Sequence, residues 1–94
     1  MVLSQATVND VLKYLRLDEE EETGNIQLIM DAAKAFIFSY TGISSLEADE
    51  HEDITIAFMV LCGEMFDNRL YTVESDKLNP ITKGILDLYS RNLL

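Results

Sequence analysis

Apolar residues recur every three or four positions over most of this chain of 94 residues, which is the spacing of amphipathic α-helices. The pattern predicts a short first helix that begins near Thr7 and ends near Arg16, with Thr7 and Asp10 as a capping pair at its start. A second apolar stripe predicts a long helix over residues 25–41. Gly42 follows at the position where many helices end in the left-handed conformation.

Two further helices are predicted in the second half of the chain. Residues 43–48 are expected to connect, and Asp49 with Glu52 offers an N-terminal cap for a third helix over residues 50–69. Asn79 followed by Pro80 marks the start of a last helix, after a linker over residues 70–78. The apolar face predicted for that helix consists of large side chains at helical spacing: Ile81, Ile85 and Leu88, with Leu86 and Tyr89 beside them.

The middle of the third helix is apolar on all sides. Between residues 54 and 62, a segment that includes Ile54 and Phe58, only Thr55 is polar. A helix of this kind is either central in a core or shared with another subunit. A domain of this size has little surface with which to cover it, so we expect copies of the chain or partner proteins to cover the remainder. The fold prediction is a single all-α domain over residues 1–94, a small antiparallel bundle of about four helices, two of them long.

Charge and composition point to protein partners. The chain has 17 acidic and 7 basic residues and a formal net charge of −10. Such a surface repels nucleic-acid phosphates and anionic membranes, although it could also line a passage through which DNA slides without adhering. No segment has the pattern of a membrane span or a signal peptide, so we expect the protein to stay in the compartment where it is made.

Few residues suggest catalysis. Cys62 and His51 lie on the same predicted helix with about 16 Å of axial rise between them, which prevents a catalytic dyad. His51 is surrounded by acidic residues, which leaves a small metal-dependent hydrolase as an alternative, but zinc sites normally use more His or Cys ligands. Glu64 is expected to pair with Arg69 or with a neighbouring subunit. We therefore predict a protein that is not an enzyme and has no catalytic residues, no metal site and no cofactor.

Several motifs follow one another along nearly the whole chain. The capped short helix carries the motif at residues 11–18 and precedes an acidic stretch, and the chain finishes with the motif at residues 85–91. The second helix contains Ala32-Ala33 and closes in Tyr40-Thr41-Gly42. The third helix ends in Phe66-Asp67-Asn68-Arg69. Together these motifs resemble the phage head–tail connector family, also called head-completion or DNA-packaging adaptor proteins of long-tailed phages. Phe66 stands where many relatives have tyrosine, and residues 70–78 are shorter than in many relatives.

The resemblance implies a ring of about a dozen copies under the portal protein, joined through a heterologous interface. Such a ring would extend the DNA channel and dock a tail-side adaptor protein, at the head–tail junction of the virion and in the host cytoplasm during assembly. The candidate interface residues are the two motifs with three residues of the third helix: Tyr40, Thr41, Gly42, Ile54, Phe58, Glu64, Phe66, Asp67, Asn68 and Arg69. The alternative is an acidic helical regulator that binds a basic protein.

Overall fold

The computed structural model describes residues 2–16, 23–68 and 78–90, and all regular structure in those ranges is helical. A 3-10 turn, Leu3–Gln5, precedes five α-helices: α1 (Val8–Leu15), α2 (Thr23–Thr41), α3 (Ser45–Asp49), α4 (Glu52–Asp67) and α5 (Pro80–Tyr89). The all-α prediction is confirmed. The acidic run at residues 18–22, Arg69, and residues 70–77 of the predicted 70–78 linker lie outside the described residues.

Helix α1 begins and ends as its sequence indicates. Thr7 and Asp10 form the predicted capping box, in which the Asp10 backbone N–H donates to Thr7 Oγ1 and the Thr7 N–H donates to the Asp10 carboxylate. Arg16 caps the other end in the left-handed conformation, with φ of 61°. A residue with a Cβ is strained there, because left-handed backbone brings the Cβ close to the next carbonyl oxygen.

Helix α2 ends at the predicted glycine. Gly42 has φ of 73°, and its N–H donates to the Phe38 carbonyl oxygen at 2.9 Å. Glycine adopts this conformation without a steric penalty, so the chain turns sharply out of the helix.

The segment predicted as a connection, residues 43–48, contains most of helix α3, so that prediction is wrong. The hydroxyl of Ser44 accepts from the Glu47 N–H at 3.2 Å and caps the helix. A helix of five residues is too short to show a helical period in the sequence, and Ala48 is its buried contact.

The predicted capping role of Asp49 is also wrong. Asp49 accepts hydrogen bonds from the backbone N–H of Ser4, at 2.9 Å, and from the Ser4 hydroxyl. Helix α4 instead begins at Glu52, after His51 in an extended conformation that makes no side-chain capping bond. The reason is tertiary, since the N-terminal 3-10 turn packs on α3 and uses the Asp49 carboxylate first.

Helix α4 lies at the centre of the molecule, in contact with α1, α2, α3 and α5. In the segment 54–62, every side chain except those of Ile56 and Val60 is buried. The expectation that a large part of this segment needs a second subunit to cover it is therefore wrong. The described helices cover it because α3, which the four-helix prediction lacked, packs on α4 together with α1, α2 and α5.

Helix α1 approaches α4 closely at a glycine. A Cβ built at Gly63 would lie 3.3 Å from Leu15 Cδ2 and 3.8 Å from Tyr14 Cε2. The missing side chain therefore leaves room for the end of α1 to pack on α4.

Helix α5 is turned relative to the prediction. Its fully buried residues are Thr82 and Leu86, whereas Ile81 and Leu88 of the predicted inner face are 64% and 74% exposed. Ile85 and Tyr89 are partly buried against the core. The apolar arc of α5 is therefore wider than the part that packs on α2 and α4, and one edge of the arc faces outward.

Candidate functional site

The motif at the end of α2 has clear structural roles. The buried hydroxyl of Thr41 donates to the Ile37 carbonyl oxygen at 2.7 Å and accepts from the Ile43 N–H at 3.3 Å. It thus joins the last turn of α2 to the chain that leaves it. Together with the turn at Gly42, this contact fixes the direction in which the chain enters α3.

Tyr40 connects α2 to α5. Its hydroxyl donates to the Asp87 carboxylate, and Lys83 Nζ donates to the same carboxylate at 2.8 Å. The hydrogen bonds from Lys83 and then Tyr40 lower the pKa of Asp87, while the Asp87 carboxylate raises the pKa of both Tyr40 and Lys83. The sequence did not predict this cluster, because no local spacing links residue 40 to residue 87.

A second group of polar contacts holds the end of α5. The Tyr89 hydroxyl lies 2.7 and 2.9 Å from the two Asp53 oxygens, which raises the pKa of Tyr89. The His51 ring lies against the Tyr89 ring, with centroids 4.5 Å apart. Ser90 Oγ donates to the Tyr40 carbonyl oxygen at 3.2 Å. The end of α5 is therefore tied to the end of α2 and the start of α4.

The motif at the end of α4 faces partly outward. Glu64 and Phe66 are half-buried, and Asp67 and Asn68 are exposed. Asn68 caps the helix, with its side-chain amide donating to the Glu64 carbonyl oxygen at 2.9 Å. Arg69 lies outside the described residues, so its predicted pairing with Glu64 stays a prediction.

Two of the candidate interface residues are in the core. Ile54 and Phe58 are fully buried, and Lys34 Nζ lies 5.8 Å from the centroid of the Phe58 ring. Their position on a central helix explains this, since residues 54 and 58 lie on one side of α4 and that side is covered. They cannot contact a partner in this conformation, so the prediction of an interface role for them is wrong.

Of the six large apolar side chains that are exposed in the described residues, four lie in two groups, and Leu28 and Leu46 lie apart from them. The first, called here the α5 outer face, consists of Ile81, Gly84 and Leu88, at helical spacing on the exposed side of α5. A Cβ at Gly84 would meet no atom within 4 Å, so this position is open. Large exposed apolar side chains grouped on one face are typical of contact surfaces.

The second group lies in a groove between α1 and α4, called here the α1–α4 groove. Its volume is about 280 Å³, and it is lined by Tyr14, Glu52, Thr55, Ile56 and Met59. Tyr14 and Ile56 are 51% and 55% exposed, whereas Thr55 and Met59 form the buried floor. Apart from the carboxylate of Glu52, the exposed lining is apolar, with the Tyr14 hydroxyl at its edge.

No family model, curated protein or solved structure matches this chain. The assignment of a function therefore depends on the resemblance of the motifs and on these two surfaces.

The residues considered for catalysis are separate from both surfaces. Cys62 is buried in the core, and desolvation raises the pKa of its thiol to about 12, so it is a protonated thiol at neutral pH. His51 packs on Tyr89, and among the described residues no group of three or more His, Cys, Asp or Glu side chains could hold a metal ion. No helix within the described ranges has the length and apolar character needed to cross a membrane.

Proposed function

We propose that this chain is a structural head–tail connector protein of a tailed bacteriophage or prophage. It would form a ring of about a dozen copies under the portal protein, extend the DNA channel and dock a tail-side adaptor protein. Its place would be the head–tail junction of the virion, with assembly in the host cytoplasm. The resemblance of the motifs supports this proposal, and the exposed surfaces are compatible with it.

The proposal rests on one observation: a single small subunit has two different apolar surfaces. A closed ring uses a heterologous interface, in which one patch meets a different patch of the next copy. The α5 outer face and the α1–α4 groove lie on different helices, and each contains apolar side chains that are more than half exposed. A ring needs two unlike patches of this kind on every copy.

An antiparallel order of the four longer helices is part of the proposal. Leu15 lies near Gly63, so α1 and α4 would run in the same direction. Asp53 at the start of α4 contacts Tyr89 at the end of α5, which favours opposite directions for those two helices. The contact of Tyr40 with Asp87 joins the C-terminal ends of α2 and α5, which favours the same direction for those two helices. These pairs support an up-down-up-down bundle.

The net charge of −10 is compatible with a DNA channel. A negatively charged lumen repels phosphates, and it forms none of the cation contacts that release counterions and make DNA adhere. An exposed acidic side chain just before α4, that of Glu50, is the kind of group that such a lumen would present.

The test is to mix the purified chain with purified rings of the portal protein encoded beside it, and to look for added ring density by electron microscopy. The variants Leu88→Ser and Ile56→Ser should lose that density because each removes an exposed apolar side chain from one of the two surfaces. Leu28→Ser is the matched control, since Leu28 is 57% exposed on α2 and belongs to neither surface. Absence of density with the unmodified chain across low and high salt would contradict the connector function.

A regulator that binds a basic protein is the second candidate, and one observation favours it. Leu46 on α3 is 79% exposed and lies beside acidic residues, which suits a partner with a basic, partly apolar surface. This function predicts binding to a cationic protein that weakens steeply with salt and is reduced by Leu46→Ser. A connector would retain portal binding in the Leu46→Ser variant.

A further inference from the structure

The side of helix α5 that packs on the core is not the middle of the helix's apolar face. Ile81, Ile85 and Leu88 follow one another at steps of four and three and would form one continuous face of a helix. In the structure, Ile81 and Leu88 of this face point outward, and the buried position beside Ile85 is taken by Thr82. The sequence of α5 and its orientation in the fold therefore disagree.

The inner side of α5 contains an unpaired polar group. Thr82 is fully buried, and within the described part of the chain its Oγ1 has no hydrogen-bond partner. A buried hydroxyl without a partner is unfavourable, because it has lost its hydrogen bonds to water and forms none within the protein. A conflict of this kind between local pattern and tertiary placement is expected at functional or strained sites, and it narrows the energy gap between the observed packing and competing packings.

The observed orientation is favoured by polar contacts and by limited apolar burial. Tyr40 and Lys83 bind Asp87 at the surface, where such contacts are individually weak because water competes for the same groups. Tyr89 binds Asp53 in a partly buried contact. Leu86 is the single large apolar side chain of α5 that is fully buried.

We propose that α5 has two docked orientations, related by a roll about its own axis of about one residue step, or roughly 100°. The observed orientation buries Thr82 and Leu86 and makes the Asp87 and Tyr89 contacts. The rolled orientation buries Ile81, Ile85 and Leu88, returns the Thr82 hydroxyl to water and breaks those contacts. In the rolled orientation the α5 outer face is hidden, so the roll regulates whether that face is available to a partner.

The experiment measures thiol accessibility in the isolated full-length chain with N-ethylmaleimide, a neutral reagent. Single substitutions Leu86→Cys and Leu88→Cys report the two orientations, and Leu46→Cys serves as an exposed reference. The native thiol of Cys62 is buried in the core and reports global unfolding in the same sample. No other cysteine is present in the sequence.

Two orientations that are occupied about equally predict that Leu88→Cys reacts about twofold more slowly than Leu46→Cys, because the rate scales with the fraction of time for which the thiol is exposed. They also predict that Leu86→Cys reacts faster than Cys62. If Leu88→Cys reacts as fast as Leu46→Cys while Leu86→Cys reacts no faster than Cys62, α5 has one orientation and the proposal is wrong. If both engineered thiols react at the reference rate, α5 detaches and does not roll, which also overturns the proposal.

Substitutions at Thr82 should shift the balance in opposite directions. Thr82→Lys places a charge on the inner side, so it should slow Leu88→Cys and speed Leu86→Cys without labelling of Cys62. Thr82→Val removes the unpaired hydroxyl and should do the reverse. Equal labelling patterns in the two variants would contradict the roll. These measurements use no portal protein, so their failure is distinct from failure of the connector function.

Discussion

At the scale of single residues, the same side chain has opposite roles at two buried positions. The hydroxyl of Thr41 donates and accepts hydrogen bonds at the end of α2, whereas the hydroxyl of Thr82 has no partner among the described residues. Both residues are fully buried in helices. The difference lies in the neighbouring backbone, since Gly42 turns the chain so that the Ile43 N–H reaches Thr41.

One substitution should therefore change stability with opposite sign at the two positions. Thr41→Val leaves the buried Ile43 N–H without its acceptor and should lower the free energy of unfolding by about 1–2 kcal/mol. Thr82→Val replaces an unpaired hydroxyl with a methyl group of similar volume and should raise it by about 1 kcal/mol. Valine and threonine have similar helix propensities, so urea unfolding of the two variants compares the hydroxyl alone. Destabilisation of equal size at both positions would show that packing outweighs hydrogen bonding.

The two left-handed residues form a second matched pair. Gly42→Ala introduces a Cβ at φ of 73° and should lower the free energy of unfolding by about 1 kcal/mol. Arg16→Gly removes a Cβ at φ of 61° and should raise it by about 0.5 kcal/mol, because the relief of strain is partly offset by the greater freedom of glycine in the unfolded chain. Thermal unfolding followed by circular dichroism would measure both. A stabilised Gly42→Ala variant would contradict the left-handed turn after α2.

At the scale of elements, the helices differ in how closely their neighbours approach. Gly63 of α4 lies under the end of α1, whereas Gly84 lies on the open outer face of α5. Both glycines are inside helices, where alanine is intrinsically favoured. The consequence of adding a methyl group should therefore depend on the neighbouring helix.

Alanine at these two glycines should give different gains in stability. Gly84→Ala should raise the free energy of unfolding by up to about 1 kcal/mol, the intrinsic preference of alanine over glycine in a helix. Gly63→Ala should give less, because its Cβ would lie 3.3 Å from Leu15 Cδ2 and the leucine must move. A double-mutant cycle with Leu15→Val should recover part of the lost gain in urea unfolding. An equal gain in the free energy of unfolding for the two single variants would mean that α1 moves to accommodate the added methyl group without a cost in stability.

At the scale of the whole molecule, exposed carboxylates tie distant segments together. Asp49 binds Ser4 and so holds the N-terminal turn on α3, and Asp87 joins α5 to α2. Asp10 caps α1. Hydrogen bonds lower the pKa of all three carboxyl groups: the Thr7 backbone N–H acts first on Asp10, the Ser4 side chain on Asp49 and Lys83 on Asp87.

Stability should consequently fall at acidic pH. A carboxyl group whose pKa is lower in the folded state contributes stability above its unfolded pKa of about 3.9 and loses it as the pH falls through the folded value. Urea unfolding between pH 7 and pH 2.5 should show this loss below about pH 4, with a smaller loss in Asp87→Asn. The titration should be carried out in about 0.5 M salt, because salt screens the repulsion among the negative charges of a chain with net charge −10. If the free energy of unfolding of Asp87→Asn falls as much at acidic pH as that of the unmodified chain, the Asp87 carboxylate makes no contribution.

Alkaline pH should reduce stability through the tyrosine and lysine side chains that donate hydrogen bonds to aspartates. The pKa values of Tyr40, Tyr89 and Lys83 are raised in the folded state, in each case chiefly by a hydrogen bond to an aspartate. Their contribution is present below the unfolded values near 10 and is lost as the pH rises through the folded ones. Tyr89→Phe should therefore show a shallower decline in stability between about pH 9 and pH 11. An unchanged decline would mean that the contact with Asp53 does not favour the protonated hydroxyl.

The sequence by itself determined the features that depend on neighbours along the chain. The all-α class, the capping box at Thr7, the turn at Gly42 and the start of α5 at Asn79 each follow from residues within a few positions of one another. The motif residues of the candidate interface were chosen from the resemblance to the connector family, and none of those that the structure describes lies in the α5 outer face or lines the α1–α4 groove. The tertiary contacts were not predicted, since the interactions of Tyr40 with Asp87 and of Asp53 with Tyr89 cross more than 30 positions of sequence.

Only the tertiary structure decided which apolar surface remains exposed. The sequence predicted that one subunit could not cover the apolar 54–62 segment, yet α1, α2, α3 and α5 cover most of it. Four of the six large apolar side chains exposed in the described residues are on α5 and in the α1–α4 groove. Periodicity identifies an apolar arc on a helix but not how much of that arc its neighbours cover, because coverage is set by how many helices pack around it and at what rotation. That is why the sequence predicted four of the five described helices and missed α3, while the surfaces proposed for partner binding came from the fold.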